Sequence, residues 1–144
     1  RPARPHPDGA AGVRFLLAAL AAFALTIGTA TAQDAARGQK LFEACQSCHS
    51  LDPSKAGMAG PHLQGLKGRV AGSAQGFDYS PAFRAAKAQG WLWDEARLMD
   101  YLADPDSVVK GGWMSAPGLD DAAERAAVAV FLMRASSPSS NSLR

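Results

Sequence analysis

Both cysteines of this chain lie within four residues, Cys45-Gln46-Ser47-Cys48, and His49 follows them directly. A disulfide across so short a loop removes little entropy from the unfolded chain and cannot staple a fold. The pair therefore reads as chemistry. A thioredoxin-like redox pair needs its motif at a strand-to-helix junction of an α/β unit, whereas this one ends a helical pattern in a chain without strand signals. A structural zinc site needs four ligands, usually as two separated pairs. Past residue 32 there are two cysteines and two histidines, and His62 has no paired neighbour.

Upstream, Arg1, Arg4 and Arg14 precede an uncharged run from Phe15, which closes on Ala30-Thr31-Ala32, a small-x-small site before Gln33. That is the layout of a secretory signal peptide over residues 1–32. The competing reading is an uncleaved membrane anchor, since the run approaches the ~20 residues that span a bilayer; alanine richness and the cleavage-type ending favour removal. The chain opens on Arg1 rather than Met, so its first dozen residues carry no weight, and His6 among them is not a ligand candidate. Arg1, Arg4, Arg14 and Asp8 all fall in the leader, which leaves the remainder with balanced charge. Nucleic acid needs a concentrated positive face, and nothing supplies one.

The remainder reads as one domain, residues 33–135, followed by a Ser-rich tail, 136–144, of disordered composition. Asp34 to Cys48 is expected to be helical, capped by Asp34, with Leu41, Phe42 and Cys45 at helical spacing. Ser50 to Ala74 is rich in Gly, Pro and Lys and reads as irregular loop. Ser80 caps a short helix with Pro81 at its first position, ending near Gly90. Asp94 caps another, whose Leu98, Met99, Tyr101 and Leu102 form an apolar face, and Asp104-Pro105 stops it. After a second loop, Asp120-Asp121 start the last helix with negative charge at its positive end, and Val128, Phe131 and Leu132 line one side.

The expectation is an all-α domain of about four helices and two long loops, with little apolar side chain to pack that much irregular chain. A large apolar ligand at the centre would resolve the shortage. Two thiols on one helical turn can add to the two vinyl groups on one edge of a haem, and the imidazole of His49 then lies under the iron. A haem c held by Cys45 and Cys48 cannot be lost, which suits an exported protein. The sixth ligand is chosen among four methionines. Met99 and Met133 sit on helices as packing residues, Met58 is too close to His49 to reach the far face, and Met114 lies in a glycine-flanked loop free to approach. Met114 is the choice.

With these residues in place the chain resembles class I cytochrome c, and within it the mitochondrial and α-proteobacterial branch, from about Gly38 to Arg134. Gly38 and Phe42 are similar to the first-helix positions that cross the last helix, and Val128, Phe131 and Leu132 to the pattern they meet. Gly60-Pro61-His62-Leu63 resembles the segment whose proline carbonyl accepts the second proton of the haem histidine. Gly68-Arg69 and Gly76-Phe77-Asp78-Tyr79-Ser80 resemble the loop over the haem propionates. The resemblance implies that Arg69, Tyr79 and Trp93 hold those carboxylates, which are costly to bury without charge or hydrogen bonds. Read without it, Tyr79 and Trp93 are ordinary core. Leu98 to Leu102 resembles the helix whose tyrosine, here Tyr101, lies near the axial methionine, and Met114 to Gly118 resembles the methionine loop.

The departures from the pattern are local. Lys110 stands for a proline, Gly112 for Thr or Asn, and Ala116 for an aromatic residue, which implies a softer methionine side; Phe83 replaces a polar residue below the haem. Lysines are sparse: Lys40, Lys55, Lys67, Lys87 and Lys110. The implied function is a periplasmic, monomeric electron carrier with His49 and Met114 on the iron. Its expected partners are redox proteins: an oxidase, a cytochrome bc1-type complex or a dehydrogenase. It is not expected to be an enzyme, and it meets the membrane only if the leader stays. The alternative is a five-coordinate haem protein that binds small gases or reduces peroxide, but no distal acid-base residue is placed near Met114 to support it.

Overall fold

The computed structural model describes residues 32–135, so the leader and the Ser-rich tail expected from the sequence lie outside the described residues, apart from Ala32. The chain divides after Gln33, and the unit from Asp34 onward carries the helices and loops discussed below.

Helix α1 covers residues 32–42. Among the described residues Asp34 has helix on both sides and is therefore not the expected cap. The α-helix also stops short of the expected Cys48. Glu43–Cys45 tighten into a 3₁₀ turn, and residues 46–48 form a further turn. The carbonyl of Cys45 accepts from both Cys48 N–H (3.1 Å) and His49 N–H (2.9 Å), a tightening common at helix ends.

Three later helices begin where the sequence places their caps. Ser80 Oγ accepts from Phe83 N–H at 3.2 Å and starts α2, Pro81–Ala88, with Pro81 in the first turn. Gly90, at φ +67°, follows its end; a left-handed turn of this kind suits glycine, which has no Cβ to clash. Asp94 Oδ1 accepts from Arg97 N–H at 2.8 Å and starts α3, Glu95–Ala103. Asp104-Pro105 does end α3, but it also opens α4, Pro105–Val108, where Asp104 Oδ1 accepts from Ser107 N–H at 3.2 Å. Asp121, and not Asp120, caps α5, Ala122–Arg134.

The core runs where α1, α3 and α5 meet and continues into the loops. Phe42 is 1% exposed, and its ring lies 5.5 Å from that of Phe131 on α5. Gly38 makes this crossing possible: a Cβ there would overlap the Ala127 carbonyl and lie 2.8 Å from Phe131 Cβ. Helix α3 packs on α5 and on α4. Strand pairing among the described residues is limited to one antiparallel bridge, Val70 with Leu92, which ties the first long loop to the segment before α3. No described helix is long and apolar enough to cross a membrane.

Candidate functional site

Residues 45–49 complete one turn of chain, and the loop that follows folds back onto it. Gly60 N–H donates to the Cys48 carbonyl, and Leu63 N–H to the Ser50 carbonyl, both at 2.8 Å. This brings the Pro61 carbonyl oxygen within 2.8 Å of His49 Nδ1. A carbonyl only accepts, so Nδ1 carries the proton and the lone pair of the neutral ring is left on Nε2. Gly60 lies flat against the imidazole; a Cβ on it would run into Cε1 and lie 2.7 Å from Nδ1. His49 is thus held in one orientation with one nitrogen committed.

Both thiols are free. Cys45 is half-buried and packs against the apolar core, and Cys48 is exposed. Burial, with a smaller contribution from neighbouring Cys48, raises the Cys45 thiol above its ordinary value. Cys45 is therefore a protonated, apolar group at neutral pH, suited to a hydrophobic partner surface more than to nucleophilic attack by an ionised sulfur.

The remaining candidates converge on a cluster of rings. Trp93 lies 5.2 Å from Tyr101, with the rings edge-on, and Phe83 lies between them and Tyr79, 5.9 Å from Tyr101 and 5.8 Å from Tyr79. Phe77 continues the run, 4.9 Å from Tyr79, and Trp91 lies 5.1 Å from Trp93 under the Arg97 guanidinium. Burial pushes the Tyr101 hydroxyl up to about 12 and raises that of Tyr79 less, since Ala74 N–H and the Arg69 charge oppose it. Met114 is half-buried against this core, with Met99; Met133 lies within the core, and Met58 is half-buried in the first loop.

Arg69 sits in the same region, and its backbone carbonyl accepts from Trp93 N–H at 2.9 Å. Its side chain donates to the carbonyl oxygens of Gln64 (2.8 Å) and His62 (2.9 Å), and its Nη1 lies 3.4 Å from His62 Nδ1. His62, set aside from the sequence as unpaired, is thus a partner of Arg69. Phe83 is the ring through which Tyr79, Trp93 and Tyr101 meet, a role its place in α2 alone did not announce.

The donor set fits a haem c. Two free thiols on one turn, one against apolar surface and one open, stand beside an imidazole with a free Nε2, and the core behind them is aromatic and aliphatic. The Cytochrome c family model matches residues 35–136. Cytochrome c-554 of Methylosinus trichosporium is 39% identical over 81% of this chain and 86% of its own length. A cytochrome c2 of Rhodopseudomonas palustris is 47% identical over 54% of this chain and 66% of its own. The solved structure of cytochrome cH from Methylobacterium extorquens is similar with a TM-score of 0.62 at 35% identity, covering 69% of this chain and 97% of that one. Family, motif and fold together assign the chain to class I of the cytochrome c family: a small helical domain with covalently bound haem c, which carries electrons between redox partners and is not an enzyme.

Proposed function

We propose that this chain is a periplasmic single-haem shuttle, exported by residues 1–32 and working as a monomer between redox proteins such as a cytochrome bc1-type complex, a dehydrogenase and an oxidase. Cys45 and Cys48 hold the haem through thioethers, and His49 Nε2 and Met114 Sδ ligate its iron. The bound haem supplies a single one-electron couple. The observation that carries this reading is the 2.8 Å bond from His49 Nδ1 to the Pro61 carbonyl, which commits one nitrogen and presents the other.

The other residues tune that centre. Pro61 orients the imidazole and makes it a stronger donor. Arg69 and Tyr79, joined electrostatically, and Trp93 would hold the haem carboxylates, and Tyr101 would offer its buried hydroxyl on the methionine side. Methionine ligation raises the potential, which places the carrier on the oxidising side of its chain. Balanced surface charge gives modest electrostatic steering, so partner association depends weakly on salt.

The test is an optical spectrum of the matured protein, oxidised and reduced, with and without carbon monoxide. The weak sulfur-to-iron band of the oxidised state, lost in Met114→Ala, together with no response of the reduced protein to carbon monoxide, is the expected result. A high-spin spectrum that shifts with the gas would replace the shuttle with the five-coordinate, gas-binding reading. N-terminal sequencing of protein from the periplasmic fraction checks export and cleavage.

A further inference from the structure

The first long loop brings an imidazole and a guanidinium together. Arg69 is a donor at all its nitrogens, so across the 3.4 Å between its Nη1 and His62 Nδ1 only the ring nitrogen can accept. That requires a lone pair on Nδ1 and hence a neutral His62. The same guanidinium also donates to the carbonyls of His62 and Gln64. The ring is thus one of three acceptors that fix the arm, and the only one whose acceptor can be removed by a proton.

We propose that neutral His62 is a positioning residue for Arg69, and that protonation of its ring breaks this bond, sets two cations side by side, and makes the carrier's reduction potential depend on pH. The inference rests on the reading of Arg69 as a partner of the haem carboxylates. Partial burial and the Arg69 charge hold His62 below the ordinary imidazole range, while the Gln64 carbonyl opposes them. On the far side Tyr79 interacts with Arg69, and burial keeps its hydroxyl protonated well above neutral pH, so it does not titrate in the same window.

The direction follows from linkage. Oxidation adds a positive charge to the centre and so lowers the affinity of His62 for its proton; reduction raises it. Reduction is therefore accompanied by partial proton uptake, and the potential falls as pH rises through the His62 titration, which lies below the ordinary value of about 6.5. On either side of that window the curve is flat.

The experiment is a set of midpoint potentials across pH 4.5 to 8 on the matured holoprotein, with the His62 ring protons followed by NMR in the reduced state. In the parent, the potential step and the NMR titration should coincide. His62→Asn offers an amide oxygen to Arg69 but no titrating group: it should keep the parent's potential at pH 8 and lose the step. His62→Ala should lose the step and also shift the pH 8 potential. A step that survives in His62→Asn overturns the proposal. Arg69→Gln separates the two readings. If it leaves the pH 8 potential unchanged, Arg69 does not serve the haem carboxylates and the underlying reading fails. If it shifts that potential while His62→Asn and His62→Ala behave as the parent, the reading stands and the role given to His62 falls.

Discussion

The Nδ1 of His49 and the carbonyl oxygen of Pro61 lie 2.8 Å apart, and Gly60, the residue before Pro61, lies against the face of the same ring. The bond and the contact come from two adjacent residues, so the imidazole cannot be reoriented without moving the loop. Gly60→Ala forces a methyl group onto the ring face. Overpacking of this kind costs about 1–3 kcal/mol, and here the strain falls on the proposed iron ligand. The expected result is a lower denaturation midpoint together with a reduced yield of haem-loaded protein. A variant with the parent's midpoint and haem content would show that the ring has room to move.

At the crossing of α1 and α5, Gly38→Ala should act against the usual trend. In an exposed helix interior the change stabilises, because alanine is the better helix former. Here the added Cβ meets the Ala127 carbonyl, and a loss of about 1–3 kcal/mol is expected as the helices part. Urea denaturation followed by circular dichroism reads the sign directly, and a gain in stability would mean the crossing is looser than the structure has it.

Ser80 is buried, 1% exposed, and its hydroxyl caps α2. Ser80→Ala leaves the Phe83 N–H without that acceptor and should cost about 1 kcal/mol. Because Phe83 carries ring contacts to Tyr79, Trp93 and Tyr101, the near-ultraviolet circular dichroism of the aromatic cluster should weaken with it. Ser80→Thr, which keeps the hydroxyl, separates loss of the cap from any change at this position.

The chain has two tyrosines, and burial raises both hydroxyls, Tyr101 up to about 12. A group whose folded pKa lies above its unfolded value stabilises fully below the unfolded value and loses that contribution as pH rises toward the folded one. For Tyr101 the loss runs from the ordinary value near 10 to about 12 and amounts to roughly 3 kcal/mol. Tyrosinate absorbance at pH 10 should therefore be lower in the folded than in the unfolded protein and should grow with unfolding above it. A tyrosine ionising freely at pH 10 in folded protein would place one ring in water.

Most of the backbone plan is legible in the sequence because polar caps announce it. Ser80, Asp94 and Asp121 each start a helix through a side-chain oxygen, and Gly90 lies just past the end of one. Helix α4 escapes because a single four-residue turn has no periodicity to detect, and its cap, Asp104, is the same residue that reads as a stop. The end of α1 is misjudged because Cys45 keeps helical spacing with Leu41 and Phe42 while its carbonyl already serves two N–H groups. The site is legible as far as local spacing reaches, which covers Cys45, Cys48 and His49. Met114 follows from elimination among the methionines, whereas Pro61, Arg69, Tyr79, Trp93 and Tyr101 enter by resemblance, and what they touch depends on how the loops fold. The bond between His62 and Arg69 spans a turn with glycines at 65 and 68, and no residue type in it signals a pairing.

The run of rings from Phe77 through Tyr79, Phe83, Tyr101 and Trp93 to Trp91 draws on one loop, two helices and the bridge segment between them. Flat side chains with two torsions each interlock there at tilted and edge-on angles, so the region with the least regular backbone is stiffened by its side chains. For a molecule whose task is to gain and lose an electron, stiffness of this kind keeps the surrounding dipoles nearly still at each transfer. The irregular half of the domain is thus a low-reorganisation mount, and loosening any one ring should slow electron self-exchange before it unfolds the protein.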